Sequence, residues 1–319
     1  MNEIMVSVIC STYNQKKYIS QCLDSLLNQD TDFRYEIIIK DDASSDGQQN
    51  IIKEYAKKYP EKIRLLIFED NLFSKGLIDK GWETALTMCR GKYVALCEGD
   101  DFWTDNRKLQ YQVDFMEFHP EYSLCGHAAY YANEDGSLRT DKYFQLFNES
   151  KEVSIERILS SWTMATNSIL YRVSARKELT VPYKGNCING DFALITYLAL
   201  NGKVFYMNRL MSAYRVCSAG SLTQLFASNL SVYKERRGEF FRRLDRLNEY
   251  TKGEYNNYII SYKNECLFDF YLKIGDAKNL KMHKDIAKNR NLKQRILWFI
   301  CVYFNKVYLH LRGNYLKDG

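Results

Sequence analysis

Four short apolar runs of β-prone residues, VSVIC (6–10), YEIIIK (35–40), IRLLIF (63–68) and KYVALC (92–97), alternate with segments whose apolar residues keep helical spacing. After the first run, Tyr18, Cys22, Leu23, Leu26 and Leu27 share one helical stripe. After the second, Ile51, Ile52 and Tyr55 begin another, introduced by the turn and capping residues SSDG (44–47) and stopped by Pro60. From Ile78 the positions Trp82, Ala85, Leu86 and Cys89 continue the pattern as far as Gly91, which the spacing predicts as the C′ residue closing that helix. Such a β-α repeat restricts the chain to a parallel sheet wound with right-handed crossovers.

Beyond Asp101 the pattern changes. A helix is expected near Lys108–Glu117, a strand over LCGHAAYY (124–131), an antiparallel turn at NEDG (133–136), a helix over Phe192–Asn201 and a short strand VFYM (204–207). From about Ser228 the chain reads as wholly helical. The expected fold class is α/β: a mainly parallel twisted sheet with flanking helices, a mixed α+β second half and a helical C-terminal extension. The divisions fall at 1–105, 106–225 and 226–319, and 319 residues with 46% hydrophobic content suffice for one large domain with an appendage.

Two acidic pairs, Asp41-Asp42 and Asp100-Asp101, follow directly on the second and fourth runs. Both should therefore stand where strands leave the sheet, and in open α/β sheets the ligand crevice lies outside those carboxyl ends. Four carboxylates on one edge repel one another unless a cation or a hydrogen-bonding ligand neutralises them, which points to a divalent metal with a phosphate-bearing ligand. Neither GxGxxG after the first strand nor GxxxxGK[ST] is present, so any nucleotide phosphate needs another partner than a glycine-rich loop.

The net charge of +6 is uneven: residues 281–319 carry nine Lys or Arg against two Asp, which leaves the rest near neutral. The same tail holds ILWFICVYF (296–304), too short to span a bilayer. It is suited either to the headgroup layer of an anionic membrane or to docking on the domain. Nine cysteines without a CxxC pair, mostly in apolar segments, read as reduced thiols with no disulfide framework or zinc knuckle. Glu3 stands where a secretory signal would be basic, so the expected location is cytoplasmic, with the tail available for peripheral contact at the inner face of the plasma membrane.

VSVICSTYN (6–14), DDASSDG (41–47) and GKYVALCEGDDFWTD (91–105) together resemble the signature of inverting GT-A glycosyltransferases of family 2. The similarity continues through KLQYQVDFMEFHPE (108–121) and GDFALITYLALNGKVFYMNRLMSAYRV (190–216), covering about the first 220 residues. It implies a metal-dependent enzyme that moves a sugar from a UDP- or dTDP-linked donor to a hydroxyl of a glycan or lipid-linked acceptor in cell-surface polysaccharide synthesis. By the match, 1–105 is the nucleotide-sugar half and 106–225 the acceptor half. Ser11 and Tyr13 line the nucleotide pocket, and Asp42 accepts from the N3–H of the base with Asp41 in support. Glu98 stands at the first acid of the family's DxD motif, Asp100 and Asp101 meet Mn²⁺ or Mg²⁺ and the donor diphosphate, and Asp191 is the general base.

Taken without the resemblance, Asp41-Asp42 also suits a turn, Asp100-Asp101 a solvated acidic loop and Asp191 a helix N-cap, while Phe102 and Trp103 read as core aromatics. Two departures stand out. Cys217 occupies the place of a His that follows Tyr-Arg in many relatives, and the helix before the fourth strand lacks their Arg-Asn pair, with Lys75 and Lys80 the nearby cations before Arg90. They motivate the alternative of a catalytically weak nucleotide-sugar-binding subunit or scaffold. A phosphoacceptor receiver fits poorly, because its acidic pair would follow the first strand and its chain would be far shorter, and no compact basic and aromatic module suggests a nucleic-acid partner.

Overall fold

The computed structural model describes residues 3–161, 163–176, 190–216, 225 and 228–315. The chain forms two compact units, residues 1–158 with 162–224, and residues 159–161 with 225–319.

In the first unit β1 (Ile4–Thr12), β2 (Arg34–Asp41), β3 (Ile63–Ile67) and β4 (Tyr93–Glu98) pair in parallel in the order β3-β2-β1-β4. They are connected through α1 (Ile19–Leu27), α2 (Gln48–Lys58) and α3 (Ile78–Met88). Their runs are mostly apolar because both faces of the sheet are covered. Val6, Val8, Cys10, Ile37, Ile39, Ala95 and Cys97 pack with Ile19, Cys22, Leu23 and Ile52 on one face. On the other, Ile9, Val94 and Leu96 pack with Ala85 of α3 and with Ile195 and Leu198 of α6 (Gly190–Leu200).

Gly91 departs from its expected role. Helix α3 ends at Met88 and Cys89 is already extended, at φ −68° and ψ 131°; Gly91 is not among the glycines with positive φ. A Cβ there would lie 2.5 Å from the backbone nitrogen of Ser7, so glycine is required for the close approach of this turn to β1.

The sheet continues beyond β4 through β9 (Leu170–Arg172), β6 (Tyr122–Ala132), β10 (Lys203–Arg215) and the two-residue β5 (Phe102–Trp103). Strand β9 runs antiparallel to both β4 and β6, whereas β6 and β10 are parallel. Helix α4 (Lys108–Phe118) precedes β6, and the NEDG turn joins β6 to the antiparallel β7 (Leu138–Phe144) with Gly136 at φ +87°. β8 (Lys151–Val153), paired to β10, is followed by α5 (Ile155–Ser160). β10 is far longer than the expected VFYM: its register shifts between Met207 and Leu210 and hides the continuation from a simple alternation.

The second unit is helical, with α7 (Leu230–Tyr250), α8 (Asn256–Ile274), α9 (Ala277–Lys281), α10 (Lys284–Lys288), α11 (Leu292–Tyr303) and α12 (Asn305–Tyr315). Phe268, Leu272, Leu280, Ala287, Cys301 and Tyr308 form its buried core. The Trp298 indole N–H donates to the Leu280 carbonyl at 3.2 Å, and the Tyr308 hydroxyl to that of Leu272 at 2.6 Å. No described helix is long and apolar enough to cross a membrane.

Candidate active site

Strand β1 lies between β2 and β4, so the winding of the sheet reverses beside it, and such a switch point is where open α/β sheets bind their ligands. Thr12 pairs with Asp41 and Ser11 with Glu98. Register alone therefore brings Ser11, Asp41 and Glu98 side by side on the sheet edge, with Tyr13, 40% exposed, just beyond. The loops after β1 and β2 hold Asn14 and Ala43 at φ +51° and +64°, a conformation that non-glycine residues keep only when their surroundings over-determine it. Here the loops lock each other: the Asn14 N–H donates to Ser44 Oγ at 2.9 Å, and the Ser45 N–H to Asn14 Oδ1 at 2.8 Å.

Asp41 is buried. Its Oδ1 accepts from the Ser44 N–H and Gln49 Nε2, and its Oδ2 from Gln48 Nε2 at 2.6 Å. Asp42 accepts the backbone N–H groups of Leu72 and Phe73, at 2.9 and 3.0 Å, one on each oxygen, and a carboxylate oxygen retains capacity for a further donor. Between the acidic groups lies Lys40, only 6% exposed, whose Nζ donates to Ser11 Oγ at 3.2 Å and stands 5.5 Å from the Trp82 ring centroid. Burial lowers its pKa, while Asp42, Asp41 and Glu98 oppose that shift.

The second acidic pair sits on a tight turn after β4. A Cβ on Gly99 would meet Thr12 Oγ1 at 2.5 Å, so the turn is pressed against the β1 loop. Asp101 is enclosed: its Oδ1 accepts from the Arg215 backbone N–H at 2.8 Å and its Oδ2 from Asn167 Nδ2 at 2.9 Å. The buried Arg215 guanidinium clamps the turn from outside, donating to the carbonyls of Asp100, Asn133 and Glu134 and to Gln21 Oε1. Asp191 is in the first turn of α6, where its Oδ1 accepts from the Phe192 N–H at 2.8 Å. Burial pushes the Glu98 carboxyl up to about 8, with the charges of Asp100 and Asp191 adding to it. Asp101 is shifted upward too, by burial and then by Asp100 and Glu98. These acids thus share one electrostatic environment although Asp191 is remote in sequence.

No group of three His, Cys, Asp or Glu among the described residues is arranged to enclose a metal. A Mg²⁺ or Mn²⁺ completed by substrate phosphates needs only one or two carboxylates, and the oxygen-only set of Glu98 and Asp100, crowded enough to hold a proton, has the chemistry to take one. A cavity of about 490 Å³ beside the turn, lined by Ser25, Trp103, Asp105, Tyr130 and Leu210 among others, includes none of the residues assigned from sequence.

The sequence profile described as glycosyl transferase family 2 matches residues 7–180, more than half of the chain. The chain belongs to this family. A relative in sequence, a Mycobacterium tuberculosis protein described as uncharacterized, is 34% identical over 66% of this chain and 58% of its own length; the chain thus spans under two thirds of that relative. The Escherichia coli UDP-Glc:alpha-D-GlcNAc-diphosphoundecaprenol beta-1,3-glucosyltransferase WfaP is 26% identical over 69% of this chain and 80% of its own. Among solved structures, S. aureus TarS 1-349 in complex with UDP-GlcNAc has a TM-score of 0.59 at 19% identity, covering 93% of this chain and 79% of that 1-349 chain. The mannosyltransferase PcManGT from Pyrobaculum calidifontis, in complex with GDP-Man and Mn²⁺, has a TM-score of 0.57 at 14% identity over 98% and 85%. The α/β fold with a parallel-dominated sheet is therefore that of GT-A glycosyltransferases.

Sequence reasoning overlooked Lys40, Gln48, Asn167 and Arg215. The signal for Lys40 was a charge closing an otherwise apolar run. Asn167 and Gln48 carried none. Lys40 also bears on the absent Arg-Asn pair, since its Cε lies 3.1 Å from where a Cβ on Gly81 of α3 would stand: a cation reaches this region from β2 instead of α3. Arg90 is engaged elsewhere, with the buried Glu36. Cys217, like Cys187, lies outside the described residues.

Proposed function

We propose that this chain is a metal-dependent inverting glycosyltransferase that moves a sugar from a UDP- or dTDP-linked donor to a hydroxyl of a glycan or lipid-linked acceptor in cell-surface polysaccharide synthesis. The observation that carries this reading is the register that sets Ser11, Asp41 and Glu98 at adjacent strand ends, together with the electrostatic linkage of Glu98 to Asp100 and Asp191. Residues 1–105 hold the donor and 106–225 the acceptor, with 226–319 as a helical extension. The similarity to WfaP, a UDP-Glc:alpha-D-GlcNAc-diphosphoundecaprenol glucosyltransferase, and to TarS in complex with UDP-GlcNAc supports the donor and acceptor classes.

Asp42 accepts the N3–H of a uracil or thymine ring, positioned by the two backbone N–H groups that hold its carboxylate and backed by Asp41. Ser11 and Tyr13 border the nucleotide, and Lys40 adds positive charge. Asp100, with Glu98 and Asp101 beside it, would hold Mn²⁺ or Mg²⁺, and the bound cation would supply charge neutralisation to the departing nucleoside diphosphate. Asp191 takes the proton of the acceptor hydroxyl while the oxygen of that hydroxyl bonds to the anomeric carbon from the face opposite the leaving group. The bond from that carbon to the diphosphate breaks, and its electron pair leaves with the nucleotide.

Incubation of the protein and Mn²⁺ with a panel of nucleotide sugars and acceptors tests the reading. Asp191→Asn should retain donor affinity and lose at least about a hundredfold in turnover. Wild-type turnover in that variant, or no transfer from any donor, would overturn it.

A further inference from the structure

The helical unit turns a broad apolar surface to solvent. On α11, Leu292, Ile296, Phe299 and Tyr303 recur at i, i+4, i+7 and i+11, a single stripe, and each is between 50% and 70% exposed. Cys301 on the opposite side is buried in the core of the unit. Phe304 at the bend and Val307 on α12 prolong the stripe, both more than half exposed. Its aromatic part is continuous: the Phe299 ring centroid lies 4.9 Å from that of Tyr303 and 5.9 Å from that of Phe304. Lys293 and Arg295 flank the stripe on its two sides and Lys306 opens α12, all three exposed. No Asp or Glu occurs between Ile286 and Lys317.

We propose that the α11–α12 surface docks in the headgroup layer of an anionic bilayer, with its aromatic stripe at the acyl boundary and its bordering cations against lipid phosphates. Apolar patches of this breadth mark interaction surfaces, and aromatic rings beside cations suit a layer that is apolar on one side and wet on the other. A twelve-residue helix reaches only about 18 Å against a hydrocarbon core of about 30 Å, so the contact is peripheral. Charge selects the occupant. A second copy would bring another acid-free, basic border against this one, whereas an anionic leaflet supplies the opposite sign. The inference stands apart from the transfer reading, because vesicle binding is measured without any donor.

Co-sedimentation of the full chain with vesicles of phosphatidylcholine alone, and with about a third phosphatidylglycerol, tests it. Wild type should partition into the anionic vesicles, less at high salt. The variant Ile296→Gln, Phe299→Gln, Phe304→Gln should lose about tenfold or more, and Lys293→Gln, Arg295→Gln, Lys306→Gln should lose the preference for anionic lipid. These side chains are exposed, so both variants should keep the wild-type circular dichroism and melting curve. Equal partitioning of both variants and wild type would overturn the proposal. So would the absence of vesicle binding, including the case of a concentration-dependent dimer abolished by the glutamine variant, which would assign the surface to a second copy.

Discussion

Glu98 concentrates the tension in the site. The folded chain keeps an acid in a half-buried place, where desolvation and then Asp100 and Asp191 raise its pKa from the ordinary 4.5 to about 8. The folded state then binds the proton more tightly than the unfolded one, so the stabilising contribution is complete below about pH 4.5 and is lost as pH rises toward 8. With a chelator present, the melting temperature should fall across that window. Glu98→Gln should shrink the fall and melt higher than wild type at pH 8, on the order of 5 °C, while binding donor and Mn²⁺ more weakly. A flat wild-type profile would mean that Glu98 is not held in this way. Asp101 is shifted in the same direction, so the variant should reduce the dependence without erasing it. The position of Glu98 at a strand end was legible in the run KYVALC. Its proton affinity was not, because Asp191 comes to it through space and across almost the whole second half of the first unit.

At the scale of elements, β1 to β4 were readable because each is a short run dominated by apolar residues, broken only by Ser7, Glu36 and Arg64, and the helices between them because one stripe of each is buried. Short strands such as β5, β8 and β9 carry too few residues to show a period, and β10 conceals its length behind the shift after Met207. Gly91 marks the limit of local rules: glycine after a helix suggests a cap, but here the neighbouring strand imposes it. Gly91→Ala should therefore destabilise by about 1–3 kcal/mol, since the Cβ meets backbone atoms of Val6 and Ser7 that cannot swing aside. Gly190→Ala, whose Cβ would have nothing within 4 Å, should stay within about 0.5 kcal/mol of wild type or gain slightly. Urea denaturation of the two variants distinguishes a packing requirement at Gly91 from a general preference for glycine.

At the scale of the molecule, two units with their own cores predict unfolding that is not two-state. Calorimetry should resolve two transitions, and UDP with Mn²⁺ should raise the one belonging to the α/β unit by mass action while leaving the helical one in place. A single transition that moves as a whole with ligand would show the units to be one cooperative body. The order of strands carries a further consequence for how the chain comes into being. Strand β1, which lies between β2 and β4, leaves the ribosome before either of them, and β4 is completed only at Glu98. At about 5–20 residues per second that interval is on the order of ten seconds, during which a strand destined for burial on both faces has one open edge and must be shielded from other chains.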